Sequence, residues 1–233
     1  LQKISRRLSD AVDTLSFAHP VACVYNPLQY AQRAHERYLE FAKPGINAIW
    51  LGMNPGPWGM VQTGVPFGEV AVVKNWLGIE EAVESPTKEH PKRPILGFDC
   101  QRSEVSGRRL WGWAQNRFNS PAEFFEQFFV VNYCPLAFLE ESGRNLTPDK
   151  LSAKERQALF EPCSQALREI VETLQPKMVV GVGKFAEARA RNALENLPIQ
   201  FGSILHPSPA SPAANRGWEP QVEKQLKELG LLT

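Results

Sequence analysis

The stretch Ile46-Asn47-Ala48-Ile49-Trp50-Leu51-Gly52-Met53 runs straight into Asn54-Pro55-Gly56-Pro57-Trp58-Gly59-Met60-Val61-Gln62-Thr63-Gly64-Val65-Pro66-Phe67-Gly68. Its first part is short, nearly all apolar and preceded by Pro44-Gly45. That pattern predicts a strand buried on both faces, as parallel sheets require. Working outward, Phe128–Asn132, Met178–Val182 and Ile199–Leu205 read as further strands of the same kind.

Helical spacing covers much of the remainder. Helices are predicted over Ile4–Ala18, ending at His19-Pro20, and over Leu28–Ala42 after Asn26-Pro27. Others are Glu69–Leu77, Ser103–Asn116, a turn at Pro121–Phe125, Gly183–Asn196 and Pro220–Leu229. Pro148–Leu174 reads as one long helix, interrupted or kinked at Pro162. The polar, Pro-rich span Glu80–Phe98 reads as loop. Strands that alternate with helices predict an α/β fold, a three-layer α/β/α sandwich around a central, mainly parallel four-stranded sheet. No repeat or linker divides residues 1–233, so a single domain is expected.

Composition narrows the function classes. The chain has 233 residues, 43% hydrophobic and 22% charged, an ordinary globular mix. No apolar run approaches the ~20 residues of a membrane helix, so no membrane association is expected. The opening Leu1-Gln2-Lys3-Ile4-Ser5-Arg6-Arg7 lacks both Met and an apolar signal core, and reads as trimmed and without a signal peptide. Net charge is +1, so a global polyanion-binding surface is not demanded, though a local basic groove is compatible with it. Cys23, Cys100, Cys134 and Cys163 are widely spaced, with no CxxC pair. Zinc and iron–sulfur sites are therefore not expected, and the thiols read as buried in a reducing compartment.

Ligands of open parallel sheets sit at the carboxyl ends of the strands. Here those ends carry the Asn54 loop, Asn132-Tyr133, Gly183-Lys184 and His206. The Asn54–Gly68 loop lacks the Gly-Lys-Ser/Thr ending of a phosphate loop and is no dinucleotide fingerprint. Its prolines and glycines make it shaped rather than floppy. The loop His206-Pro207-Ser208-Pro209-Ala210-Ser211-Pro212-Ala213-Ala214-Asn215-Arg216-Gly217-Trp218 is thin and stiff, as suits insertion into a nucleic-acid groove. Pro91-Lys92-Arg93-Pro94, Arg108-Arg109 and Lys184 are candidate phosphate contacts, as readily explained as solvated surface.

These two loops, with Asn132-Tyr133-Cys134-Pro135-Leu136 and Gly181-Val182-Gly183-Lys184, resemble the single-strand-selective monofunctional uracil-DNA glycosylases of the uracil-DNA glycosylase superfamily. The resemblance extends over most of the chain. It implies a DNA-repair hydrolase that flips a base from the stack and cuts its N-glycosidic bond, without metal, cofactor or strand cleavage. The expected substrates are uracil and 5-substituted uracils such as 5-hydroxymethyluracil, in single- or double-stranded DNA. By resemblance, Asn54 orients the attacking water and His206 stabilises the departing base as its negative charge builds. Phe67 stacks on the base, Asn132 reads its Watson–Crick edge, and Met53 and Gly56 shape the pocket around C5. Lys184, Pro207, Ser208, Pro209, Ala210 and Arg216 are the expected DNA contacts. Some family members carry Arg where this chain has Ala210, so wedge action falls to the neighbouring prolines and Ser208.

A monomer is expected, within the cell: at the nucleoid of a bacterium or in the nucleus of a eukaryote. The competing readings are a glycosylase for another deaminated or mismatched base, a DNA-binding module without chemistry, and an unrelated small-molecule enzyme. The presence of both Asn54 and His206 argues against the second, and the length of the matched motif against the third.

Overall fold

The computed structural model describes residues 1–232. In chain order the strands are β1 (Cys23–Tyr25), β2 (Ala48–Gly52), β3 (Phe128–Asn132), β4 (Ala137–Leu139), β5 (Asn145–Leu146), β6 (Met178–Val182) and β7 (Gln200–Ile204). The helices are α1 (Gln2–Asp13), α2 (Pro27–Tyr30), α3 (Gln32–Leu39), α4 (Met60–Thr63), α5 (Val70–Asn75) and α6 (Val105–Arg117). They continue with α7 (Pro121–Gln127), α8 (Ala153–Leu174), α9 (Lys184–Ala193), α10 (Pro212–Asn215) and α11 (Trp218–Glu228). No described helix is long and apolar enough to cross a membrane.

The four expected strands form one parallel sheet in the order β3-β2-β6-β7. Register separates its two faces. Leu51 pairs with Gly181, and a Cβ at Gly181 would lie 2.3 Å from the Glu187 backbone nitrogen, so α9 packs on that face. Trp50, one residue earlier, points the other way and stacks on Trp113 of α6 at 5.2 Å. Phe124 of α7 meets Trp50 edge-on at 6.2 Å. β3 is an edge strand, and the Tyr38 hydroxyl satisfies its outer backbone. It donates to the Val130 carbonyl at 2.7 Å and accepts from the Val130 N–H at 3.3 Å.

Several sequence expectations change. A second, antiparallel sheet, β1-β4-β5, was not foreseen, because strands of two or three residues carry no readable period. α1 stops at Asp13 rather than Ala18. Phe17 instead packs on Phe138 at 4.8 Å, and the Ala18 N–H donates to Glu155 at 2.6 Å. The predicted Leu28–Ala42 helix breaks at Ala31, where the Tyr30 carbonyl accepts from the Glu84 N–H at 2.8 Å. α8 is uninterrupted through Pro162. Its capping box at Ser152 and Glu155 and its buried Leu159, Cys163, Leu167 and Val171 outweigh the ~3 kcal/mol that an interior proline costs. All four cysteines are buried and unpaired.

Candidate active site

Backbone bonds carry the β2–β3 pairing past the strand ends. The Tyr133 N–H donates to the Gly52 carbonyl and the Cys134 N–H to the Met53 carbonyl, both at 2.9 Å. The Asn54 loop is thereby tied to the segment after β3. Gly52 pairs with Asn132, so the two lie side by side on the Trp50 face. Asn54 donates from Nδ2 to the Leu136 carbonyl at 3.1 Å. Among the described residues its Oδ1 has no donor, which leaves it free to accept from a water.

The turn between β2 and α5 brings Phe67 back over Gly52. Phe67 adopts φ +54, unusual for a residue with a side chain. Gly107 of α6 permits this, since a Cβ there would lie 2.0 Å from the Phe67 carbonyl oxygen. The Phe67 ring stands 6.0 Å from His206. His206 packs from the other side against Gly183, where a Cβ would come within 3.2 Å of the His206 Cβ.

These segments enclose a cleft of about 280 Å³. Met53, Asn54, Gly56, Phe67, Asn132, His206, Ser208 and Pro209 line it together. Lys184, Pro207, Ala210 and Arg216 do not. Pro207 is buried beneath the loop, while Pro209 and Ala210 form its exposed tip. Arg216 is exposed, and Lys184 is exposed and ion-paired with Glu187 at 3.2 Å.

The polar groups of the cleft are oriented. Burial pushes the His206 imidazole down to about 4, so the ring is neutral at pH 7. The Ser208 N–H donates to its Nδ1 at 3.0 Å, which places the ring proton on Nε2. His206 is thus a neutral donor. Asn132 directs Nδ2 at Met60 Sδ, 3.2 Å away, while its Oδ1 is buried without a partner. Asn145 also lines the cleft and has a buried, unpartnered Oδ1.

Sequence reasoning missed several contributors. Gly52 admits Asn132 and Phe67, and a glycine closing an apolar strand was the available signal. Glu104, Ser106, Asn145 and Thr147 reach the cleft from distant segments, with no local signature. The space beside Gly56 is not empty: a Cβ there would lie 2.5 Å from Glu104 Oε2. Burial raises the pKa of that carboxyl, which accepts from the Trp58 N–H at 3.3 Å. Arg109, read as a phosphate contact, holds the His206 loop instead. It donates to the Pro207 carbonyl at 2.9 Å, the Ser208 carbonyl at 3.4 Å and Asn215 Oδ1 at 2.9 Å.

The model of the Uracil DNA glycosylase superfamily matches residues 39–229. The chain is 51% identical over 229 residues to the single-strand selective monofunctional uracil-DNA glycosylase of Rattus norvegicus, covering 97% of this chain and 82% of that protein. It is 50% identical to the Bos taurus protein of that name, covering 97% and 84%. Among solved structures, that of Pedobacter heparinus SMUG2 superposes with a TM-score of 0.68 over 97% of both chains. At 15% identity, that match speaks for the fold alone.

Proposed function

This chain belongs to the uracil-DNA glycosylase superfamily, and on that premise we propose that it hydrolyses the N-glycosidic bond of uracil in DNA, leaving an abasic site. The observation that carries the reading is the buried, unpartnered Asn132 Oδ1. An orphaned acceptor costs ~1–3 kcal/mol, so the site is complete only when a ligand donates to it. Uracil offers its N3–H there and its O4 to Asn132 Nδ2. Cytosine offers an acceptor and a donor in the reverse order, and does not fit.

The flipped base enters the cleft and stacks on Phe67. Its O2 receives the Nε2–H of His206. As the glycosidic bond breaks, the electron pair leaves with uracil, and the neutral imidazole donor stabilises the resulting anion. Asn54 cannot act as a general base. Its Oδ1, fixed by the Nδ2 bond to Leu136, orients the water that captures the cation-like sugar. Among the described residues no lysine lines the cleft, which favours hydrolysis without strand cleavage. The Glu104 carboxyl beside Gly56 is an acceptor for a 5-hydroxymethyl group, and favours 5-substituted uracils as additional substrates. Leu96 is the one large apolar side chain exposed among the described residues, in keeping with a monomer. The work would be done where the DNA is, at a nucleoid or in a nucleus.

The test uses an end-labelled oligonucleotide with a single uracil or 5-hydroxymethyluracil, single- or double-stranded, with EDTA present. The expected result is strand breakage only after alkali, and a loss of about 100–1000-fold in rate for His206→Ala. Folded protein that releases no uracil, or His206→Ala acting at the wild-type rate, would overturn the reading.

A further inference from the structure

We propose that Arg93 and Arg102, gathered at the Trp58 ring beside the cleft, form a phosphodiester-binding site that grips the DNA strand. The guanidinium carbons of Arg93 and Arg102 each lie 5.0 Å from the Trp58 ring centroid. Among the described residues, neither makes a salt bridge. The Arg93 guanidinium makes one hydrogen bond, from Nη1 to the Lys92 carbonyl at 2.9 Å, and its Nε has no partner. Two guanidinium cations held at one ring, neither in a salt bridge, concentrate positive charge there, and a phosphodiester is attracted by both.

The backbone at Arg93 is held in place. Tyr25 Oη donates to the Arg93 carbonyl at 2.6 Å, and Gln62 Nε2 donates to the Pro94 carbonyl at 3.1 Å. Trp58 holds both guanidiniums by cation–π attraction, which leaves the N–H groups of the exposed Arg102 and the Nη2 of Arg93 for a ligand. Its N–H is bound to Glu104, and the preceding Pro57 lines the cleft as Glu104 does. The two arginines therefore stand next to the cleft wall, with Lys92 exposed beside Arg93. A planar guanidinium suits the paired oxygens of a phosphodiester. Such a contact carries no base information, so it positions the strand whatever its sequence.

The inference rests on the reading that DNA enters the cleft, but it concerns phosphate rather than base. Its test is therefore binding of a uracil-free, fluorescently labelled single strand, followed by anisotropy across a salt series. Each phosphate contact on a single strand contributes about 0.7 to the slope of log K against log salt. Arg93→Gln with Arg102→Gln is expected to flatten the slope by about 0.7, the share of one phosphate, and the exposed Arg102→Gln alone by part of that. Lys43→Gln is the control, since Lys43 precedes β2 at the amino end of the sheet, paired with Glu126. It removes the same charge and should leave the slope unchanged. A wild-type slope in the double variant, or equal flattening by Lys43→Gln, would overturn the proposal. Failure of the wild-type protein to release uracil is read in a separate assay and bears on the glycosylase reading alone.

Discussion

A methyl group at position 52 would lie 2.3 Å from Asn132 Oδ1 and 2.6 Å from the Phe67 ring. The two side chains proposed to hold the base therefore meet over a residue that has no side chain. Gly52→Ala should displace both. Overpacking of this kind costs about 1–3 kcal/mol, so the fold survives. Misplacement by an ångström can cost about 100-fold in rate, and that is the loss expected in uracil release. Steady-state kinetics beside a far-ultraviolet circular dichroism spectrum checks it. Unchanged kcat/KM would mean that Asn132 and Phe67 are not held by this contact.

At the scale of elements, α6 does more than cover the Trp50 face. Its Gly107 receives the strained Phe67 turn, and its Arg109 grips the loop after β7. Asn215, at the end of α10, receives one arm of Arg109 and donates its own Nδ2 to the Pro209 carbonyl at 2.8 Å. The loop is thus clamped on both sides of its exposed tip, with His206 just ahead of the clamp. Hydrogen bonds from a charged donor are worth about 1.5–3 kcal/mol each. Arg109→Ala should lower kcat/KM by at least tenfold and make the loop cleavable by protease. Arg109→Lys keeps the charge but loses the fork, and should fall between. Equal protease resistance in all three proteins would argue against the clamp.

For the whole molecule, two histidines tie stability to pH. His35 is buried beneath the Gly64 turn, its Nδ1 2.8 Å from the Gly64 carbonyl, and burial pushes it down to about 4. His206 is pushed down to about 4 as well. Unfolded, both return to an ordinary value near 6.5. Between about pH 6.5 and 4 the unfolded chain thus binds protons that the native chain refuses. Stability is therefore full above pH 6.5 and falls as pH drops through this window, by up to about 1.4 kcal/mol per pH unit for each histidine. Urea midpoints at pH 7.5, 6 and 5 measure the slope. His35→Gln should remove about half of it. Activity in the same window should follow the folded fraction, because His206 stays neutral until about pH 4.

Residue order was enough to read the parallel sheet and the strand ends that carry Asn54, Asn132 and His206. Phe128–Asn132 and Met178–Val182 fall where the apolar runs place them, because a strand buried on both faces has no choice of composition. The glycine- and proline-rich loop after β2 announced its own shape for the same reason: those residues restrict or release the backbone locally. Features that depend on distant segments meeting came from folding. It placed Glu104 against Gly56, Arg109 on the His206 loop, and Arg93 with Arg102 on Trp58. It also decided the short antiparallel sheet and the break at Ala31, whose backbone partners come from elsewhere in the chain. A charge or a carboxyl reads the same in sequence whether it faces water or a neighbour. Only packing tells which, and so only packing sets the tautomer of His206 and leaves Asn132 Oδ1 buried without a donor.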